Sequence, residues 1–243
     1  MALGVLEALA ELQGREVDAT SEEEPGRIMP VVTTNHQPFS RTYNAVYGAA
    51  LPRVLLVAIS HSHASSTPLA VDAVVHHGLD VADYPFGSGD GGYVALLGRM
   101  TENKGVHRAI AIARAAGVPL KIAAKMREPH EREYFEKFVE PHLGDDVQYL
   151  GEVDAAGKRE LLASASALLN PISWREPFGM AMLESLACGT PVVGSPQGAA
   201  PEIVEHGRGG RTHLSGVQLQ GYGCARLRTD GDATGFRCLE VVA

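Results

Sequence analysis

Short runs of β-branched and aliphatic residues alternate with helical patterns between Tyr93 and Glu205, and this alternation constrains the fold most strongly. Alternating strands and helices predict an α/β fold whose strands lie mainly parallel. We predict strands at 93–97, 120–124, 147–150, 167–170 and 191–194, and helices at 105–116, 129–139, 155–164, from "EPFG" onward and at 200–205. This part of the chain therefore predicts one Rossmann-like domain.

The first part of the chain also contains strand patterns, but they are fewer. We predict strands at Val31–Thr34, Val54–Ile59 and Ala70–Val75, and one amphipathic helix at Met1–Leu12. The segment 78–92 is rich in glycine and lacks a helical period, so it is the best candidate for a linker. We predict a first domain at 1–86, a linker at 87–92, a second domain at 93–210 and an irregular tail at 211–243.

The net charge of −8 disfavours a protein that binds nucleic acid or an anionic membrane through a basic surface. No apolar stretch is long enough to cross a bilayer, and the start Met1-Ala2-Leu3-Gly4 lacks the features of a signal peptide. We therefore predict a cytoplasmic protein without a transmembrane segment and without a nucleic-acid partner.

The cysteines and histidines do not form metal-ligand patterns. Cys188, Cys224 and Cys238 are odd in number and share no C-x-x-C spacing, which argues against disulfides and structural zinc. The histidine pairs His61/His63 and His76/His77 have no acid or cysteine at a ligand-like interval. We therefore predict no metal site.

Three cations follow predicted strands of the second domain. Arg99 and Lys104 lie in "GRMTENKG", a loop between a strand and a helix, and Lys125 ends the strand "LKIAAK". Loops at the carboxyl ends of parallel strands line the ligand crevice of an open α/β sheet, so cations beside a helix start suit a diphosphate. Cations on such loops are also common as simple solvated residues, and this loop is not a recognised phosphate motif.

The stretch "EPFGMAMLE" allows two interpretations. With proline in the first turn, Phe178, Gly179 and Met180 would present backbone N–H groups to a ligand. If the segment is only a capped helix, Glu176 would be a first-turn acid favoured by the helix dipole, and Glu184 would be a solvated helix residue. The apolar neighbours of Glu184 favour a partner for its carboxylate. The pattern alone leaves both interpretations open.

The segments "LLGRMTENKG", "KIAAK", "YLGEV" and "LLNPISWREPFGMAMLESLACGTPVVGSPQGAAPEIVEHG" resemble, in order and spacing, the donor domain of retaining glycosyltransferases of family four. Upstream, "VVTTNHQPF", "LVAISHSHAS" and "VVHHGLDVADYPF" resemble the second half of that family's first domain. The resemblance implies a GT-B fold of two Rossmann-like domains, the first incomplete. It also implies transfer of a sugar, with retention of configuration, from a nucleotide-diphosphate sugar to an acceptor hydroxyl.

The resemblance also implies a role for each site residue. Arg99 and Lys104 would hold the diphosphate and stabilise the leaving group without a metal or other cofactor. Lys125 would also bind the donor, at a strand end where basic residues vary in role within the family. Glu176 would bind the donor sugar and Glu184 the ribose, with backbone N–H groups of Phe178, Gly179 and Met180 directed at sugar and phosphate. His36 would face the donor sugar from the first domain. The reaction would be a front-face substitution through an oxocarbenium-like state.

The sequence also departs from the family pattern. The resemblance implies a chain truncated ahead of Met1, and the Gly and Arg rich text after Gly207 is what an out-of-frame reading of a GC-rich gene would give. Two functions follow: a hexosyltransferase-like enzyme, or a catalytically dead remnant that binds nucleotide. A sugar-nucleotide epimerase is disfavoured, because "EPFG" with "GRMTENKG" indicates transfer. The acceptor, whether a saccharide, a lipid or a small molecule, is not specified.

Overall fold

The computed structural model describes residues 31–51 and 54–205, together with two-residue strands at 210–211, 226–227 and 239–240. The chain divides into two compact units between His77 and Gly78. Both units contain parallel sheets, as the α/β prediction requires. The predicted helix Met1–Leu12 and most of the predicted irregular tail lie outside the described residues.

The first unit contains a three-stranded parallel sheet in the order β1-β2-β3. Its elements are β1 (Val31–Thr34), α1 (Arg41–Ala50), β2 (Val54–Ala58), α2 (His61–Ala64) and β3 (Ala73–Val74). The third strand is shorter than the predicted 70–75, because the Asp72 carboxylate, and not a main-chain carbonyl, accepts the Leu56 N–H at 2.7 Å. Helices α1 and α2 were not predicted, and each begins after a serine cap, at Ser40 and Ser60.

The second unit alternates strands and helices as predicted. Its elements are β4 (Val94–Arg99), α3 (Val106–Ala116), β5 (Leu120–Lys125), α4 (Pro129–Phe138), β6 (Val147–Gly151), α5 (Ala155–Ser164), β7 (Ala167–Asn170), α6 (Met180–Ala187), β8 (Val192–Gly194), α7 (Ala200–Ile203) and β9 (Gly210–Arg211). A separate antiparallel pair follows, β10 (Arg226–Leu227) and β11 (Leu239–Glu240).

The sheet of the second unit has six parallel strands in the order β6-β5-β4-β7-β8-β9. The chain runs outward from β4 to β6, returns to the middle, and runs outward again from β7. This is the strand order of the Rossmann fold, and its ligand crevice lies where the order reverses. The crevice is therefore expected between the carboxyl ends of β4 and β7.

Both faces of this sheet are covered, because alternate residues of its strands enter two separate cores. Val94 and Leu96 of β4 belong to one apolar cluster, while Tyr93 and Ala95 belong to the other. Helices on both faces explain why the strands read as almost continuous apolar runs. No helix in the described part of the chain has the length and apolarity needed to span a membrane.

Two details of the second unit differ from the expected layout. A sixth strand, β9, pairs with β8 although Gly210–Arg211 carries no β-branched residue that would predict it. The segment predicted as a linker, 87–92, is held against the second unit by the N–H groups of Gly87, Gly89 and Gly91. These donate to the carbonyls of Cys188, Ala163 and Ser164 at 2.9, 3.2 and 2.9 Å, respectively.

Candidate functional site

The loops that follow β4 and β7 form one wall at the reversal of strand order. The Ser173 N–H donates to the Asn103 carbonyl at 3.0 Å, and Arg108 Nε donates to the Pro171 carbonyl at 2.8 Å. The first loop carries Lys104 and the second carries Glu176. The sequence-predicted residues from these two loops are therefore brought together in space.

Lys104, Trp174 and Glu176 form a cluster at this wall. Lys104 Nζ makes an ion pair with Glu176 Oε2, and Trp174 Nε1 donates to the same oxygen at 3.1 Å. Lys104 Nζ also lies 5.3 Å from the centroid of the Trp174 ring. Within the described residues, Glu176 Oε1 accepts no hydrogen bond. One carboxylate oxygen is thus fixed and the other is open to a ligand.

The backbone of Glu176 is fixed by the loop between β8 and α7. The Glu176 carbonyl accepts the Ala199 N–H at 3.0 Å. Gly198 lies so close that a Cβ atom there would be 2.2 Å from the Glu176 carbonyl oxygen, and its φ of +62° favours glycine. Glu176 lies outside α6, so the interpretation of Glu176 as a first-turn acid is wrong.

Arg99 lies at the carboxyl end of β4 and is held by Glu131, a residue that the sequence analysis did not identify. Arg99 Nε donates to Glu131 Oε1 at 2.8 Å, and the Glu131 side chain is 0% exposed. Burial alone would raise the pKa of Glu131, but the backbone N–H groups of Arg127 and Glu128 and the Arg99 guanidinium together lower this pKa to about 2. Glu131 is therefore ionised and fixes the guanidinium.

One signal in the sequence could have identified Glu131. It stands at the third position of α4 after the cap Glu128, with Pro129 between them, and its carboxylate accepts the Glu128 N–H at 3.1 Å. This spacing is that of a capping box. The pattern predicts a helix start, whereas the pairing with Arg99 depends on how α4 packs beside β4.

Lys125 ends β5 beside Arg99, because these two residues are Cα partners in the parallel register. Within the described residues, the Lys125 ammonium makes no ion pair. The neighbouring Arg127 is paired instead with Glu152, at 2.8 Å. The carboxyl edge of the sheet therefore presents two cations side by side, one of them without a carboxylate partner.

Helix α6 begins at Met180, whereas the sequence predicted that Pro177 would already lie in its first turn. Gly179 has a φ of +111°, a left-handed conformation that a right-handed helix cannot contain, so the helix starts after it. The Phe178 side chain is buried at 4% exposure. Of the three predicted residues, Met180 alone lies in the first turn, where the N–H groups have no acceptor inside the helix.

Glu184 is buried on α6 and has two donors on one oxygen. Lys158 Nζ pairs with Glu184 Oε1 at 2.5 Å, and Tyr84 Oη donates to the same oxygen at 3.3 Å. Burial raises the pKa of the Tyr84 hydroxyl, and the Glu184 charge raises it further. The interpretation of Glu184 as a solvated helix residue is wrong, because its side chain is only 10% exposed.

His36 follows β1 in the first unit and is exposed. Its Nδ1 lies 3.3 Å from His77 Nε2. Its position opposite a donor sugar stays a prediction.

A buried histidine that the sequence analysis did not identify as a site residue supports the loop around His36. The Ile59 N–H donates to His63 Nδ1 at 3.4 Å, so His63 Nε2 carries the proton and donates to the Gln37 carbonyl at 2.9 Å. The Asn35 amide also donates to that carbonyl at 2.8 Å, so the backbone that follows His36 is held by two side chains. Burial lowers the pKa of His63.

Proteins of known sequence resemble parts of this chain. Phosphatidyl-myo-inositol mannosyltransferase of Mycolicibacterium smegmatis is 33% identical over 156 residues, 59% of this chain and 39% of its own length. N-acetyl-alpha-D-glucosaminyl L-malate synthase of Bacillus anthracis is 41% identical over 66 residues, 27% of this chain and 16% of its own length. The chain thus spans less than half the length of these relatives.

Solved structures resemble the chain as well. AviGT4, a glycosyltransferase involved in avilamycin A biosynthesis, superposes with a TM-score of 0.54 and 30% identity over 61% of this chain and 47% of its own. Anabaena HepE in complex with UDP and glucose superposes with a TM-score of 0.66 and 24% identity, covering 85% of this chain and 60% of its own. The second likeness is one of fold.

The sequence profile of the glycosyl transferases group 1 family matches residues 91–217, which is more than half of the 243 residues and includes the Lys104, Glu176 and Glu184 clusters. The Rossmann strand order, the cations at the carboxyl ends of β4 and β5 and this match agree with one another. The chain therefore belongs to the glycosyl transferases group 1 family and has an α/β fold of the GT-B type.

Proposed function

We propose that the chain is a retaining glycosyltransferase of family four whose second unit binds a nucleotide-diphosphate sugar and transfers a hexose to an acceptor hydroxyl in the cytoplasm. The observation that carries the proposal is the Lys104, Trp174 and Glu176 cluster at the reversal of strand order. A cation and an acid with one open oxygen suit a ligand that carries both phosphates and hydroxyl groups.

Arg99 and Lys104 bind the diphosphate in this proposal. The Arg99 side chain is 48% exposed while Glu131 fixes its orientation, so part of the guanidinium can meet a phosphate oxygen. When the donor binds, the Lys104 ammonium leaves the Glu176 carboxylate and pairs with a phosphate oxygen instead. Lys125 adds a positive charge at the neighbouring strand end. These fixed cations stabilise the charge that develops on the leaving phosphate, so no metal ion is required.

The remaining residues bind the sugar and the ribose. Glu176 accepts hydroxyls of the donor sugar through Oε1, and Glu184 accepts ribose hydroxyls through the oxygen that Lys158 and Tyr84 leave open. The backbone N–H groups of Phe178, Gly179 and Met180 bind sugar and phosphate in this proposal. His36 of the first unit binds the donor sugar. HepE was crystallised with UDP and glucose, which supports a nucleotide-sugar donor for this fold.

The reaction proposed is a front-face substitution. The bond between the anomeric carbon and the leaving phosphate breaks, an oxocarbenium-like state forms, and the acceptor oxygen attacks the face that the phosphate leaves. The leaving phosphate takes the acceptor proton. The relatives include an N-acetyl-alpha-D-glucosaminyl L-malate synthase and a phosphatidyl-myo-inositol mannosyltransferase, whose names differ, so the proposal specifies the acceptor only as a hydroxyl group.

Fluorescence of Trp174, the only tryptophan, tests the proposal directly. The purified chain is titrated with UDP and GDP, with and without EDTA, and donor consumption is then measured. We expect saturable binding by one nucleotide, unchanged by EDTA, and at least about tenfold weaker binding after Lys104→Ala, since a lost charged hydrogen bond costs that much. Lys137→Ala, an exposed lysine on α4, is the matched control.

Each outcome of this titration separates the candidate functions. Binding followed by consumption of the sugar donor supports the enzyme. Binding without consumption in the presence of varied acceptors supports the nucleotide-binding remnant. Failure of both nucleotides to bind, or equal affinities of the Lys104 and Lys137 variants, contradicts the proposed site.

A further inference from the structure

Glu184 resembles Glu176 in how it is held. Each carboxylate receives a lysine and an aromatic donor on a single oxygen: Lys104 and Trp174 on Glu176, and Lys158 and Tyr84 on Glu184. In both cases the second oxygen accepts no hydrogen bond within the described residues. The two acids of the "EPFGMAMLE" segment are thus held in the same way, each with one oxygen that accepts no hydrogen bond from the described residues.

The donors on Glu184 come from two different elements. Lys158 projects from α5, whereas Tyr84 precedes β4 in the segment that opens the second unit. A carboxylate held by one donor can still swing about its side-chain torsions. Two donors on Oε1 from separate elements fix the plane of the carboxylate, and the direction of Oε2 is then fixed as well.

A purely structural ion pair between α5 and α6 would not need this arrangement. Among the described residues no buried side-chain oxygen lacks a hydrogen-bond partner, so the Glu184 Oε2 atom, which accepts none, reaches the surface, where a ligand can meet it. Lys158 is itself partly accessible, because 26% of its side chain is exposed. The open oxygen beside it is what a ligand with hydroxyl groups would complete.

We propose that Lys158 and Tyr84 are positioning residues that hold Glu184 so that its second oxygen accepts from the vicinal hydroxyls of the donor's ribose. This inference rests on the proposed function, because it assumes that a nucleotide occupies the second unit. In this proposal Lys158 and Tyr84 act through Glu184, the residue that both of them contact. They determine how strongly the site distinguishes a ribonucleotide from a nucleotide that lacks the hydroxyls.

The test compares the affinities of UDP and 2′,3′-dideoxy-UDP, measured by isothermal titration calorimetry. A hydroxyl donating to a carboxylate contributes about tenfold to hundredfold in affinity, so the wild-type chain is expected to prefer UDP by at least about tenfold. In Lys158→Met this preference is expected to fall to about threefold or less, while the affinity for the dideoxy nucleotide stays within about twofold.

Three further variants separate positioning from general damage. Lys158→Arg keeps the charge and is expected to retain most of the preference for UDP. Tyr84→Phe removes one oxygen atom and is expected to lower the preference by about twofold to threefold, since a neutral donor contributes less than a charged one. Lys137→Met makes the same charge change on the exposed face of α4 and is expected to leave the preference unchanged.

The outcomes are distinct. A wild-type preference that persists unchanged in Lys158→Met and Tyr84→Phe overturns the inference and leaves the proposed donor site standing. Equal affinities of the wild-type chain for UDP and 2′,3′-dideoxy-UDP also overturn the inference, because Glu184 then does not bind the ribose hydroxyls. Absence of binding by either nucleotide overturns the proposed function and this inference together. If Lys158→Met fails to fold, the preference for UDP measured in Tyr84→Phe decides whether the inference holds.

Discussion

Replacing Glu131 by glutamine removes the buried charge that holds Arg99 while keeping the shape of the side chain. Glu131 is fully buried and accepts hydrogen bonds from the Arg99 side chain and from the backbone N–H groups of Arg127 and Glu128. The amide of glutamine has only one acceptor oxygen, and its NH2 group would face one of these donors. We therefore expect the substitution to destabilise the second unit and to release Arg99.

The magnitude follows from the pKa of Glu131, which is lowered from an ordinary 4.5 to about 2 although burial opposes this. At about 1.4 kcal/mol for each pKa unit, the difference corresponds to about 3 kcal/mol. Water screens the contribution of Arg99, whose side chain is 48% exposed, so we expect about 2 kcal/mol. This contribution is complete above about pH 5 and is lost as the pH falls from there towards about 2.

Urea unfolding followed by Trp174 fluorescence measures this effect, because Trp174 and Glu131 belong to the same unit. Glu133→Gln, an exposed position on the same helix, is the matched control. We expect Glu131→Gln, but not Glu133→Gln, to lower the free energy of unfolding by about 2 kcal/mol at pH 7, with a smaller difference at pH 4. Equal values for the two variants at pH 7, or a difference that grows in acid, would refute the reasoning.

Other substitutions test separate parts of the structure. Gly198→Ala is expected to lower the free energy of unfolding of the second unit by about 2 to 4 kcal/mol, because the new Cβ would overlap the Glu176 backbone and the residue has a positive φ. The control Gly144→Ala should change the free energy of unfolding in urea by less than about 0.5 kcal/mol. The first unit should lose stability below about pH 6.5, because His63 is protonated more readily in the unfolded chain than in the fold, where burial lowers its pKa. His63→Gln should remove this pH dependence. Amide hydrogen exchange in the first unit, corrected for the intrinsic effect of pH, measures it. Trp174→Phe removes the hydrogen bond to Glu176, the proposed sugar ligand, and should weaken binding of the nucleotide-sugar donor by about threefold to tenfold in calorimetry while UDP affinity stays within about twofold. Unchanged affinity for the donor would contradict that role.

Much of the second unit could be predicted from the sequence, because β-branched strands and amphipathic helices alternate there with clear boundaries. The strand Ala167–Asn170, for example, was predicted with the bounds that the structure shows. The sixth strand Gly210–Arg211 could not be predicted, since two residues without β-branching carry no periodic signal and pair only because β8 offers a free edge.

The candidate site was predicted in part. The sequence placed Lys104 in a loop between a strand and a helix and Glu176 just before a later helix, and their pairing follows from the strand order. Glu131 could not be assigned to the site, because its pairing with Arg99 is long-range and its local pattern indicates only a helix cap. Lys158 was also missed, because nothing in its own helix indicates that it reaches Glu184 on α6.

A crystal structure of the chain with UDP would test the central claim most directly. We predict that the diphosphate lies between the carboxyl ends of β4 and β7, with Lys104 Nζ moved from Glu176 to a phosphate oxygen and a ribose hydroxyl donating to Glu184. A nucleotide bound elsewhere, or an intact pair of Lys104 and Glu176 beside a bound diphosphate, would contradict the account.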